Sequence, residues 1–97
     1  MRIEWDPVKD SANRRKHGLS FHDASALFRD PGGWLERVDE QHGDDEDRFL
    51  AIGLIVRGVA AVVFVEREED VIRIVSARFA TPREIRMYDQ WARRRNP

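Results

Sequence analysis

Arg73-Ile74-Val75-Ser76-Ala77-Arg78-Phe79-Ala80-Thr81-Pro82-Arg83-Glu84 reads as a strand that runs directly into a helix. Val71, Ile72, Ile74 and Val75 are β-branched, as suits a pleated and mostly buried strand. Thr81 fits an N-cap, Pro82 the first helical position, and Glu84 the carboxylate of a capping box. The junction gathers fixed cations (Arg73, Arg78, Arg83), a hydroxyl (Ser76), a carboxylate (Glu84) and, one turn on, the phenol of Tyr88. Such a set at the edge of a sheet suits an anionic substrate.

Working outward, the spacing predicts strands over 34–38, 49–56, 59–66 and 71–77, separated in turn by the acidic loop, by Arg57-Gly58 and by Glu68-Glu69-Asp70. Runs joined by turns this short pair as an antiparallel meander, because parallel neighbours need a long crossover. Ile3 and Trp5 alternate with polar residues and suggest a short edge strand. Asp6-Pro7 opens a helix that stops at His17-Gly18. Ser20, with Asp23 as capping-box partner, opens a second helix over 21–29, which Asp30-Pro31-Gly32-Gly33 ends. A third helix covers 82–95. The fold class is therefore α+β: one domain over 1–97, a small antiparallel meander with two N-terminal helices and a C-terminal helix, the helices on one sheet face.

Composition narrows the function. The chain has no cysteine, which excludes disulfides and thiolate metal sites and makes the cytoplasm the default location. It opens on no apolar signal region, and no run approaches the ~18 apolar residues of a membrane span. Seven acids against Arg37 alone give 36–47 a charge of −6, leaving the rest at +5 within a net charge of −1. Fifteen of the seventeen cations are arginine, the better side chain for bidentate phosphate binding and for stacking on bases. Phosphate-loop and dinucleotide fingerprints are missing. His17, His22 and His42 lack zinc-site spacing, so neither metal nor cofactor is expected.

Two helix faces stand out. Lys9, Asn13, Lys16 and His17 share one side of the first helix, opposite a weak stripe of Val8 and Ala12. This is either an ammonium–imidazole face for phosphate or a short surface helix with a favourable cationic C-terminus. On the last helix, Ile85, Tyr88 and Ala92 suit anchoring on the sheet. Arg48, Arg67, Arg73 and Arg78 fall within or at the ends of strands, where they either build a phosphate site or pair with Glu36, Glu66 and Glu68.

The ordered set Trp5-Asp6, Lys9, Asn13, Lys16-His17-Gly18, Phe21, Ala24, Phe28, Arg48, Gly53, Arg67, Arg73-Ile74, Ser76-Ala77-Arg78, Ala80-Thr81, Glu84 and Tyr88 resembles the BrnT family. Those proteins are ribonuclease toxins of type II toxin–antitoxin systems. The resemblance spans the chain and implies a RelE-like fold and metal-independent cleavage of RNA. It also implies neutralisation by a BrnA-type ribbon-helix-helix antitoxin through which operator DNA is bound. Phe79 and Pro82 stand where the family often carries basic residues, with Arg83 and Arg86 nearby as replacements.

Cleavage by attack of a ribose 2′-hydroxyl needs a base, cations for the phosphorane and an acid for the 5′-oxygen. Arginine stays protonated, so Arg48, Arg67, Arg73, Arg78 and Arg83, with Ser76, are expected to hold substrate and stabilise charge. An unperturbed imidazole titrates near 6.5, which makes His17 the first choice of base and Glu84 the second. Tyr88 or Lys16 would donate the last proton after a lowering of its pKa. The competing readings are a non-catalytic nucleic-acid-binding or co-repressor module and an adaptor with open strand edges. Convergence of Lys16, His17, Arg78, Glu84 and Tyr88 on one cleft separates the enzyme from these.

Overall fold

The chain forms β1 (Arg2–Glu4), α1 (Pro7–His17), α2 (Phe21–Ala24), a 3-10 helix (Ser25–Arg29), β2 (Leu35–Val38), β3 (Phe49–Ile55), β4 (Gly58–Glu66), β5 (Val71–Phe79) and α3 (Pro82–Arg95). The computed structural model describes residues 1–39 and 47–95, so His42 and most of the acidic stretch lie outside the described residues. Strands β3 to β5 form the meander that their short turns require, and β2 pairs antiparallel with β3, in a sheet ordered β1-β5-β4-β3-β2. β1 joins at the far edge parallel to β5, with Ile3 beside Ile72. The long path from β1 through the other elements supplies the crossover that a parallel pair needs. The sheet is thus mixed rather than wholly antiparallel.

α1 has good ends and almost no apolar face. Asp6 caps it by accepting from Val8 N–H at 2.9 Å, and Pro7 takes the first turn. Gly18 closes it at φ 68°, a left-handed conformation that glycine adopts without a Cβ penalty. The anchor is Asn13. β1 stops at Glu4, leaving the outer edge of β5 without a partner strand beyond Arg73. There the Asn13 carboxamide accepts from Ala77 N–H at 3.1 Å and donates to the Ala77 carbonyl at 2.7 Å and the Leu19 carbonyl at 2.9 Å. One side chain thus satisfies the edge as a neighbouring strand would. The expected surface face of α1 is corrected at this position, since Asn13 is only 7% exposed and points at the sheet.

Ser20 caps α2 by accepting from Asp23 N–H, and Asp10 of α1 accepts from Phe21 N–H. The single helix expected over 21–29 tightens into a 3-10 helix at Ser25. The Ser25 hydroxyl donates to the His22 carbonyl and accepts from Arg29 Nη1, a local bond that competes with regular helix. Leu19, Phe21, Leu27 and Phe28 pack with Ala51, Val62, Phe64 and Ile74 in the main core. Phe28 meets Trp34 and Phe64 edge-on at 5.0 and 5.2 Å. A Cβ on Gly53 would lie 3.2 Å from the Cβ atoms of both Leu27 and Trp34, so a larger residue there would push the 3-10 helix or Trp34 back by a few tenths of an ångström.

The other face of the sheet is also covered, which corrects the expectation of helices on one side only. The register places Leu35, Ile52, Ala61 and Arg78 in one row across four strands. Strand alternation turns this row away from the main core. Ile52 and Ala61 are nevertheless buried, at 0% and 1% exposure. The helix that reaches β3 on this side is α3, with Tyr88 as its buried residue. The signal lay in Leu50-Ala51-Ile52-Gly53-Leu54-Ile55 and Val59-Ala60-Ala61-Val62-Val63-Phe64-Val65, where the alternation of a one-sided sheet is missing. Among the described residues, no helix is long and apolar enough to cross a membrane.

Candidate active site

Beyond α3, among the described residues, this second face is only partly covered, and arginines lie along it. Ser76 shares a row with Val63, Leu50 and Arg37, and Arg73 sits opposite Val65. Leu50 and Val63 are only half-buried, so the cover provided by α3 gives out between the Arg78 row and the Ser76 row. Alternation carried one residue past β3 and β4 adds Arg48 and Arg67. Asp39 N–H donates to the Arg48 carbonyl, and Arg67 N–H to the Val71 carbonyl, so both positions continue the ladder. Five arginines, 37, 48, 67, 73 and 78, therefore share one face. Arg37, three strands from Ser76 and so about 14 Å away, was not picked out from sequence because its neighbours are acidic.

A bulge makes this grouping. Phe64 pairs with Ile74 and Val63 with Ser76, leaving Val75 as an extra residue on β5. In a regular strand Arg73 would face the same side as Ala77, away from Ser76 and Arg78. The bulge inserts one residue and returns all three to one side. Arg73 is steered from the other edge by Glu4, whose Oε1 lies 3.7 Å from its Nη1.

The centre of the site is Arg78 with Glu84. Arg78 Nη1 donates to Glu84 Oε1 at 2.7 Å and Nη2 to Oε2 at 3.0 Å, a two-pronged ion pair. Glu84 also closes the capping box: Oε1 accepts from Thr81 N–H at 2.9 Å, and Glu84 N–H donates to Thr81 Oγ1 at 3.2 Å. The strand-to-helix junction thereby locks the guanidinium in place. The hydrogen bond from Arg78, aided by those from Thr81, holds the Glu84 carboxyl below its ordinary value of 4.5 and raises the Arg78 pKa in return. Burial, with Asp30 nearby, pushes the Tyr88 phenol above 10.0. These directions make Glu84 a weaker base and Tyr88 a weaker acid.

The lowered carboxyl has a consequence for stability. A group with a depressed folded-state pKa contributes stability above its unfolded value and loses it as pH falls through the folded value. Stability should therefore decline on acidification from about 4.5 downward. Glu84→Gln should flatten that part of the profile in urea melts taken across the acid range. An unchanged acid limb in Glu84→Gln would remove the pair from the account.

α1 brings two more candidates to the same end of β5. His17 stands one turn beyond Asn13 on the same helical face and is half-buried. The carbonyl of the next residue, Gly18, accepts from Arg57 Nη1 at 3.1 Å, and the Arg57 guanidinium lies 5.0 Å from the centre of the Phe79 ring. Lys16 and Arg83 are exposed at helix ends. Among the described residues, no hydrogen bond or ion pair joins Lys16, His17 or Tyr88 to Arg78 or Glu84. Nor do three His, Asp or Glu side chains come together there as a metal-binding group.

The fold and this face define a small α+β protein equipped to hold a polyanion against a sheet. Residues 5–84 match the family described as the ribonuclease toxin BrnT of type II toxin–antitoxin systems. The structure is similar to the 1.1 Å crystal structure of the Brucella abortus ribonuclease toxin BrnT, at 30% identity and a TM-score of 0.61, over 84% of this chain and 97% of that one. No curated protein matches the chain. The chain belongs to the BrnT family of ribonuclease toxins, whose type II systems pair each toxin with an antitoxin.

Proposed function

We propose that this toxin cleaves RNA by in-line attack of a ribose 2′-hydroxyl on the adjacent phosphate, without a metal, at the end of β5. The observation that carries the reading is the immobilised Arg78, set on a face with four other arginines. Arg78 holds the scissile phosphate and stabilises the phosphorane, because a preorganised cation acts without reorganising at the moment of reaction. Arg48, Arg67 and Arg73, with Ser76, guide the flanking backbone, and Arg83 extends the path along α3. Glu84 orients Arg78 instead of accepting the 2′-proton, a role that its lowered pKa supports. The base is His17 on the C-terminal turn of α1: it takes the 2′-proton, and Lys16 beside it gives a proton to the departing 5′-oxygen. Tyr88 serves as a packing anchor for α3 because its raised pKa opposes proton donation.

The antitoxin on this reading is of the BrnA ribbon-helix-helix type, covers the arginine face, and is the subunit through which operator DNA is bound in the cytoplasm. The test is cleavage of a defined single-stranded RNA by purified protein with and without a chelator. Activity should survive chelation, and folded His17→Ala should lose about 10²–10⁴-fold in rate. Loss of activity on chelation with recovery on adding magnesium would overturn the metal-free route. Full activity in His17→Ala would return the role of base to another group. Binding without any cleavage would make the chain a nucleic-acid-binding module.

A further inference from the structure

Phe79 has no part in the chemistry above, and the main core does not absorb it. It ends β5, pairs with Ala60, and is 36% exposed. One ring face is fixed by Arg57, whose guanidinium lies 5.0 Å from the ring centre and is itself tied to the Gly18 carbonyl at 3.1 Å. Ring and guanidinium thus form a positively charged, partly exposed unit held by the β3–β4 turn and the end of α1. Arg78 is the preceding residue, with its Cα about 3.8 Å away. Its Nη1 reaches to 3.4 Å from the Phe79 carbonyl. The two side chains point to opposite faces of β5, but at its last residue, where the chain leaves the sheet. A strand of RNA with a phosphate on Arg78 can therefore wrap the strand end and bring a neighbouring base against the ring.

We infer that Phe79 with Arg57 is a nucleobase-stacking platform that holds a base flanking the phosphate bound at Arg78. The inference rests on the proposed arginine-face site and adds a specificity element to it. Aromatic rings and guanidinium planes both stack on unpaired bases, with little demand on base identity. The platform therefore selects single-stranded over paired RNA and sets the position of the cut relative to an unstacked base.

The test uses short single-stranded RNA blocked against cleavage by 2′-O-methyl groups, with 2-aminopurine at each position in turn and an abasic oligomer as control. The wild-type protein should quench 2-aminopurine at one position. Phe79→Leu, which keeps an apolar side chain and the fold, should relieve that quenching and weaken binding about tenfold or more. Phe79→Trp should retain both properties, and Arg57→Ala should fall between. The abasic oligomer should bind wild type and Phe79→Leu equally. Wild-type affinity and quenching in Phe79→Leu would overturn the platform. Weakened binding in Arg78→Ala beside that result would leave the phosphate site standing. Unchanged binding in both variants, or no binding by wild type, would overturn the platform and the arginine-face reading together.

Discussion

Asn13→Ala is expected to destabilise the protein by about 3 kcal/mol or more, since an unsatisfied buried polar group costs about 1–3 kcal/mol. The substitution removes little apolar surface. What it removes is the partner of the Ala77 N–H, the Ala77 carbonyl and the Leu19 carbonyl, all on residues with no exposure. Against the ~5–15 kcal/mol that holds a domain folded, this is a large fraction. At about 4–8 °C per kcal/mol for a domain of this size, the melting temperature should fall by more than about 12 °C. Asn13→Asp sharpens the test: it keeps the acceptor for Ala77 N–H but sets a carboxylate oxygen against two carbonyls. It should be the worse variant at neutral pH and recover partly on acidification. A urea midpoint for Asn13→Ala close to wild type would mean that water replaces the amide and that α1 is anchored by something else.

Arg78→Ala is expected to lower RNA cleavage by about 10²–10³-fold, the range seen when one preorganised transition-state donor is removed. Arg78→Lys should recover little, because an ammonium cannot reproduce the two-pronged bond to Glu84 or the fork presented to phosphate. Stability should change far less, since Arg78 is partly exposed and an exposed ion pair contributes little. Glu84 acts through Arg78, so adding Glu84→Ala to Arg78→Ala should lower the rate little further. This non-additivity marks a positioning residue. A double variant whose losses simply multiply would give Glu84 an independent role in the chemistry. An Arg78→Ala enzyme within twofold of wild type would move the phosphate site elsewhere on the sheet.

Much of the fold was legible in the sequence because it rests on local chemistry. The caps at Asp6, Ser20 and Thr81–Glu84, the stop at Gly18 and the turns between strands depend on residues a few positions apart. Their hydrogen bonds are therefore written into short windows of sequence. The antiparallel run of β3, β4 and β5 followed from turns too short for anything else. The second covered face had a trace in the unbroken apolar runs of β3 and β4. Asn13 had none: its partner is sixty-four residues away, and an asparagine that replaces a strand looks like any polar residue on a helix.

By itself, the sequence determined the elements, most of their order in the sheet, and the pairing of Glu84 with the start of α3. Each of these is decided by neighbours along the chain. Only the tertiary structure decided which arginines act together. Side-chain direction in a strand changes with every residue, so the single extra residue at Val75 determines whether Arg73 joins Ser76 and Arg78 or faces the opposite side. The same holds for the end of β5, where α1, the β3–β4 turn and α3 meet around Arg78 and Phe79. Residues distant in sequence become one site there because an unpaired strand edge, a bulge and a capped helix leave the chain no other way to satisfy its backbone and cover its apolar surface.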